Sequence, residues 1–346
     1  MSYLRRFRAR YSQTAADCRK VSLRNDRERK RVLVTGGAGF LGSHLCRLLL
    51  EAGHQVVCLD DFSIGAKSNV EPLMRFDAFA VAMHDVVEPF ELEIDEIYHL
   101  ANPASPPHCQ ADPIRAMQTH VLGTINVLEL AARHGARVLH VTFSDDGAQQ
   151  LYPESVGGDA AFLGRRSCYE EGPRSAEALF SDFHELYQLD VRLVRIFNAY
   201  GPMMRADDNR IISNFVLRAL KGEDITIYGD PSETSTFCFA YDLIDGIVRV
   251  MASPASLPVP IDLGSPMEFA IGEVAEQVIE LVGSRSSLVL RPKKAGILRR
   301  RQPDIALAMQ EFGWCPRMDL SGGLLQTIGY FDRLLSASRS PFAEAA

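Results

Sequence analysis

The chain has 346 residues, 47% of them hydrophobic and 23% charged, which allows a sizeable core within one large or two intimate domains. A formal net charge of -7 gives no overall electrostatic pull toward nucleic acid or an anionic membrane, so small-molecule partners are expected. No apolar run approaches the ~18 residues of a membrane span. Cys18, Cys46, Cys58, Cys109, Cys168, Cys238 and Cys315 form no CxxC pair or metal-ligand spacing, so a cytoplasmic protein without disulfides or metal is expected.

Residues 1–31 are arginine-rich (Arg5, Arg6, Arg8, Arg10, Arg19, Arg24, Arg27, Arg29, Arg31) with little apolar periodicity. Asp17, Asp26 and Glu28 dilute the basic pattern, which favours a solvated flexible tail over a transit peptide or a nucleic-acid-binding arm. From Val32 to about Arg195, short β-branched runs alternate with helical periodicity. Val32 to Val34 reads as a strand, Leu41 to Glu51 as a helix, and Gln55 to Leu59 as a second strand. Ile97 to Leu100, a helix from about Pro113 to His134, Val138 to Val141, a helix to about Leu189 and Val191 to Ile196 continue the series. Repeated strand–helix–strand order predicts a doubly wound α/β fold, a parallel sheet covered on both faces.

Beyond Gly201-Pro202 the pattern loosens into helices at Ile211 to Leu220, Asp242 to Met251, Ile271 to Val282, Ile305 to Phe312 and Leu320 to Leu335, with an extended run at Ile225 to Tyr228. Turn chemistry at Gly229-Asp230-Pro231, Ser253-Pro254 and Gly264-Ser265-Pro266 separates them. The expected organisation is a nucleotide-binding domain over 32–198 and 236–264, a smaller C-terminal lobe over 199–235 and 265–335 that covers substrate, and a tail over 336–346.

Gly36-Gly37-Ala38-Gly39-Phe40-Leu41-Gly42 follows the first strand and opens a helix. In that context small residues let the backbone approach a pyrophosphate, while the helix N-terminus offers free N–H groups and its positive dipole end. Gly36, Gly39, Phe40, Leu41 and Gly42 are therefore cofactor candidates. Asp60 closes the second strand, where a carboxylate accepts hydrogen bonds from ribose hydroxyls and repels a 2′-phosphate, so NAD is expected rather than NADP. Asp85 and Val86, after the apolar run Phe79 to Met83, are placed near the adenine; an ordinary turn is the alternative.

Several stretches are more specific. His84-Asp85-Val86-Val87-Glu88-Pro89, His99-Leu100-Ala101-Asn102-Pro103-Ala104-Ser105-Pro106-Pro107, Cys168-Tyr169-Glu170-Glu171-Gly172, Arg195 to Pro202, Arg210 to Phe215 and Arg301 to Ile305 resemble the UDP-glucuronate decarboxylase branch of the extended short-chain dehydrogenases/reductases, over roughly residues 31 to 335. The resemblance implies a Rossmann fold and a redox-neutral cycle. NAD oxidises C4 of UDP-glucuronate, the keto acid loses CO2, and the reduced cofactor returns the hydride to give UDP-xylose. It also implies that Asn198, Arg210 and Arg301 hold the diphosphate, that Ser213, Asn214 and Phe215 line the uridine side, and that Pro103 and Ser105 approach the sugar. A homodimer through the helices at 113–134 and after Pro173 is the implied assembly.

The catalytic set departs from that pattern. The family places Lys four residues after its Tyr, where an ammonium lowers the phenol pKa and holds the nicotinamide ribose; this chain has Tyr169 and then Pro173, which also predicts a helix that starts or kinks there. Phe143-Ser144-Asp145 stands where relatives have Thr-Ser-Glu, Ser235 where they have Arg, Met203 for an Arg and His120 for an Asn. Tyr169 and Asp145 remain the catalytic candidates, and Tyr169 also a nicotinamide contact. Losses cluster where C4 and C5 of the sugar would sit, while the nucleotide-binding residues persist. The expectation is a protein that binds NAD and a UDP-sugar with little or no decarboxylase activity, as a homodimer or in a heteromer with an active paralogue. The alternative is an active nucleotide-sugar enzyme, a decarboxylase or epimerase, using Asp145, His120 or Cys168 in a rearranged pocket.

Overall fold

The computed structural model describes residues 29–103, 109, 111–144, 167–208, 210–254, 257–292 and 302–339. The strands begin with β1 (Arg31–Thr35), β2 (Gln55–Asp60), β3 (Phe79–Met83), β4 (Glu96–His99), β5 (Arg137–Ser144) and β6 (Val191–Phe197). β7 (Ala199–Tyr200), β8 (Ile225–Tyr228), β9 (Thr234–Thr236) and β10 (Cys238–Phe239) follow, then β11 (Leu257–Leu263), β12 (Glu268–Ala270) and β13 (Leu288–Arg291). Seven of them form one sheet in the order β11-β6-β5-β4-β1-β2-β3, with every pairing parallel. The chain grows from β1 toward β3, then returns to β4 on the other side of β1. This reversal leaves a crevice at the carboxyl ends of β1 and β4.

The helices are α1 (Phe40–Glu51), α2 (Lys67–Val70), α3 (Pro113–Gln118), α4 (Thr124–His134), α5 (Ser167–Tyr187), α6 (Ile211–Lys221), α7 (Ala240–Ala252), α8 (Ile271–Val282), α9 (Ala306–Phe312) and α10 (Leu320–Arg339). Alternate residues of β1 feed opposite faces of the sheet, as the two-residue strand period requires. Val32 and Val34 join Leu45, Leu49, Leu243 and Ile247 under α1 and α7. Leu33 joins Val127, Leu128, Ala131 and Phe180 under α4 and α5. Burial of each such side chain stabilises the fold by roughly 1.5–3 kcal/mol. A second core is built from α6, α8 and α10 around the β8–β13 pair, with Phe215, Val216, Ile225, Val274, Val278 and Phe331 inside it.

Three local expectations are corrected. The first is the boundary of the basic tail: Arg31 is the first residue of β1 and Lys30 pairs with Glu96, so both belong to the fold. The second is the 113–134 helix, which is divided by a single π-helical turn at Thr119–Gly123 between α3 and α4. The third concerns where the helix containing Pro173 begins: α5 is already established at Ser167, so the proline lies inside the helix and does not open it. Six cysteines among the described residues are free thiols, and no described helix is long and apolar enough to cross a membrane.

Candidate functional site

The glycine loop is shaped by close backbone approaches. Gly36 has φ +68°, and a Cβ there would stand 2.8 Å from the carbonyl carbon of Leu100. At Gly42 an added Cβ would collide with the carbonyl oxygen of Gly36, so this glycine lets α1 lie on the loop. Gly39 is the N-cap of α1 and supplies no side-chain acceptor, which leaves the first-turn N–H groups available to an anion.

This loop opens into a cleft of about 280 Å³ lined, among others, by Gly36, Gly39, Asp60, Asp85, Val86 and Pro103. Asp60 is buried: its Oδ2 accepts from the N–H of Ala38 and its Oδ1 from that of Phe62, both at 2.9 Å. Burial raises its carboxyl above the usual range, although the two N–H groups pull the other way. Phe62 completes the turn with φ +59°, a left-handed conformation rare for a bulky residue. Asp85 accepts a hydrogen bond from the N–H of Val87 and forms an ion pair with Arg115 of α3. Burial opposes its ionisation, yet the Arg115 guanidinium holds its carboxyl below the ordinary value. Phe40, Leu41 and Gly42 do not line the cleft with side chains; they form the first turn of α1.

Of the residues expected to hold substrate, Pro103 lines this cleft; the other described ones are not among its lining residues. Asn198, held at φ +42° after β6, donates from Nδ2 to the Ser235 hydroxyl at 3.3 Å. Arg210 is the N-cap residue of α6, and its guanidinium carbon lies 5.9 Å from the centre of the Phe143 ring. Phe143 and Ser235, expected from the sequence to depart from the family pattern, thus engage two of the expected substrate residues. Ser213 does not face an opening, because its side chain is fully buried and its hydroxyl donates to Asp208 at 2.7 Å. Phe215 is likewise buried, in the second core, and only Asn214 of this trio is partly exposed. Ser105, Asp145 and Arg301 lie outside the described residues, as does the side chain of Tyr169, whose backbone belongs to the first turn of α5.

Beneath the carboxyl ends of β1, β4 and β5 lies a group of buried histidines that the sequence pattern left unconnected. His99 Nδ1 is 2.7 Å from the Thr35 hydroxyl and its Nε2 3.3 Å from that of Thr124. Its ring stacks on His140 at 4.9 Å, and His140 stacks on Phe180 at 4.8 Å. His120, in the π-helical turn, packs against Gly172 of α5, where any side chain would strike its ring. Neither ring nitrogen of His120 or His140 has a partner among the described residues. Burial lowers all three, His99 to about 3, His120 to about 4 and His140 well below its ordinary value, so the cluster is neutral at pH 7.

Arg115, Asp61 and Asp112 also line the cleft, and sequence reasoning missed them. Arg115 meets Asp85 across 30 residues of chain, a separation at which no local pattern signals contact. Arg174, the cation next to Pro173 in sequence, is exposed and pairs with Glu171 at 3.3 Å.

Residues 32–264 match the NAD dependent epimerase/dehydratase family. The chain is 43% identical over 318 residues to UDP-glucuronic acid decarboxylase 1 of Danio rerio, spanning 91% of this chain and 76% of that one. With UDP-glucuronic acid decarboxylase 1 of Arabidopsis thaliana it shares 41% identity over 314 residues, 90% of this chain and 72% of the other. Among solved structures, dTDP-glucose 4,6-dehydratase from Streptomyces venezuelae with NAD and TYD bound is 25% identical with a TM-score of 0.75, covering 89% of this chain and 98% of that one. UDP-glucuronic acid 4-epimerase from Bacillus cereus in complex with UDP-glucuronic acid and NAD shares the fold, with a TM-score of 0.74 at 24% identity over 88% of this chain and 99% of the other.

Proposed function

Given that the chain belongs to the NAD dependent epimerase/dehydratase family, and within it to the UDP-glucuronic acid decarboxylases, we propose that it binds NAD and a UDP-sugar and has little or no decarboxylase activity. The glycine cradle, the uncapped start of α1 and Asp60 fit a dinucleotide: N–H groups for the pyrophosphate and a carboxylate for the ribose. NAD supplies hydride acceptance and return at a sugar carbon. Everything else a decarboxylation needs falls to the protein, namely a base for the hydroxyl proton and a proton donor after CO2 leaves.

The observation that carries the reading is Pro173. It occupies α5 four residues after Tyr169, and proline supplies neither an ammonium to lower a phenol pKa nor an N–H. The nearest arginine points to solvent and is paired. Loss of one such acid–base partner slows chemistry by about 10²–10⁴-fold. Phe143 and Ser235 act in the same direction, since an aromatic ring and a short hydroxyl replace a substrate-facing hydroxyl and a guanidinium. Binding is spared because the dinucleotide residues are separate from these.

A second reading, an active enzyme with rearranged groups, is favoured by His120. Its imidazole is neutral, buried and without a partner among the described residues, and it packs directly against Gly172 of α5, where a Cβ would stand 2.4 Å from the ring. The assembly we propose is a homodimer through α3–α4 and α5, whose outer faces leave Ile114, Leu122, Leu186 and Tyr187 exposed; a heteromer with an active paralogue would use the same face. The reducing cytoplasm fits the six free thiols.

The test is to incubate the purified chain with NAD and UDP-glucuronate beside a variant carrying Pro173→Lys, Phe143→Thr and Ser235→Arg, and to follow nucleotide sugars and CO2. Both proteins are expected to bind the nucleotides, and the variant to release CO2 at least about 10²-fold faster. Equal, efficient release by both would sink the reading and favour the second one.

A further inference from the structure

We propose that Arg115 decides which dinucleotide the cleft accepts, and that Asp85 and Asp61 hold its guanidinium away from a 2′-phosphate; this rests on the reading of the cleft as a dinucleotide site. Arg115 is the sole Lys or Arg among the described residues that line the cleft, and it shares that lining with Asp60, Asp61, Asp85 and Asp112. One of its terminal nitrogens, Nη2, sits between two carboxylates, in an ion pair with Asp85 and 4.0 Å from Asp61 Oδ2. All three side chains are about one-third exposed, at 34%, 33% and 36%, so they face the space a ligand would enter rather than the core.

Asp60 is less able to act alone than its place in the sequence implies. Each of its oxygens already accepts a backbone N–H, it is only 7% exposed, and burial raises its carboxyl. A carboxylate so enclosed can accept a ribose hydroxyl on a remaining lone pair but projects less repulsion toward solvent. Asp61 is the neighbouring carboxylate that faces outward, its Oδ1 taken by the N–H and hydroxyl of Ser63 while its Oδ2 turns toward Arg115.

A guanidinium beside the ribose is the group that ordinarily favours a 2′-phosphate, because its planar fork matches phosphate oxygens. Here one arm of the fork, Nη2, is committed to Asp85, which also accepts the N–H of Val87 and is thereby fixed in place. A 2′-phosphate would have to compete with Asp85 for that arm while facing Asp60 and Asp61. A 2′-hydroxyl meets no such conflict. The surplus of carboxylates over guanidinium is thus the physical basis of NAD preference, and Arg115 is a latent phosphate site.

The full-length chain is titrated with NAD and with NADP by calorimetry, as wild type, Asp61→Asn/Asp85→Asn, and the same pair with Arg115→Gln. Wild type is expected to prefer NAD. The double variant should shift the NADP/NAD affinity ratio about 10- to 100-fold toward NADP, the worth of freed hydrogen bonds to a charged group. Arg115→Gln should erase that gain. If the double variant is unstable, Asp61→Asn alone keeps the question answerable, with a smaller shift of the same sign. An unchanged ratio, or a gain that survives Arg115→Gln, overturns the proposal while leaving NAD binding intact. Wild type that binds neither nucleotide overturns the dinucleotide reading itself, and this proposal with it.

Discussion

At Gly36 a methyl group would meet the Leu100 backbone at 2.8 Å while the chain stands at φ +68°, so neither space nor conformation admits a side chain. Gly36→Ala is expected to lose about 1–2 kcal/mol of stability and to weaken NAD binding at least about tenfold. Wild-type affinity and an unchanged urea midpoint would contradict the assigned role. The buried histidines make a separate demand. Their folded pKa values lie below the unfolded value of about 6.5, so the unfolded chain binds the extra protons. Their contribution to stability is therefore intact above about pH 6.5 and is lost as the pH falls toward about 4, at up to ~1.4 kcal/mol per pH unit for each. His140→Phe, which extends the stack on Phe180, should flatten that acid limb in urea titrations; a slope equal to wild type would show that His140 is not held neutral. Legibility differed among single residues for the same reasons. Gly36 and Gly39 were readable as a turn opening a helix because loop and helix start are contiguous in sequence, and Asp60 as the end of β2 from its apolar run. Arg115 was not, because its partners at 61 and 85 arrive only when β2 and β3 pair.

Helix α5 is the element that departs furthest from its pattern. Pro173 within it removes one N–H and leaves the carbonyl four residues back without its helical donor. Pro173→Ala should therefore stabilise the protein, by about 1–3 kcal/mol in urea unfolding, without restoring turnover, since alanine brings no cation. A neutral or destabilising effect would mean that the surrounding helix already accommodates the ring at no cost. The amphipathic helices α6 and α8 were legible because their apolar periodicity meets one core and each ends in a left-handed glycine, Gly222 and Gly283. Strand β11 was not legible as a strand. Pro258 and Pro260 argue against sheet, yet at the edge of the sheet, with a register shift between Leu257 and Pro260, the missing N–H groups cost little. The two- and three-residue strands β7, β9, β10 and β12 are too short for any periodicity and form only because the two cores bring them together.

For the whole molecule, alternating strands and helices were enough to give the doubly wound sheet, because a parallel sheet buried on both faces leaves long apolar runs in the sequence. The arrangement of the second core around α6, α8 and α10 was readable only as a series of helices; their mutual packing depends on contacts far apart in the chain. What the sequence pattern could state about chemistry was an expectation: a cleft fitted to a dinucleotide beside a sugar side short of catalytic groups. The geometry adds that Phe143 lies beside Arg210 and that Ser235 accepts from Asn198, so both positions are tied to expected substrate residues. The central claim, binding without decarboxylation, is tested most directly by following nucleotide sugars with time when the wild-type chain is saturated with NAD and UDP-glucuronate. The account predicts that UDP-glucuronate persists, with turnover about 10²-fold or more below that of the Pro173→Lys, Phe143→Thr, Ser235→Arg variant. Sustained conversion to UDP-xylose by the wild-type chain would contradict it.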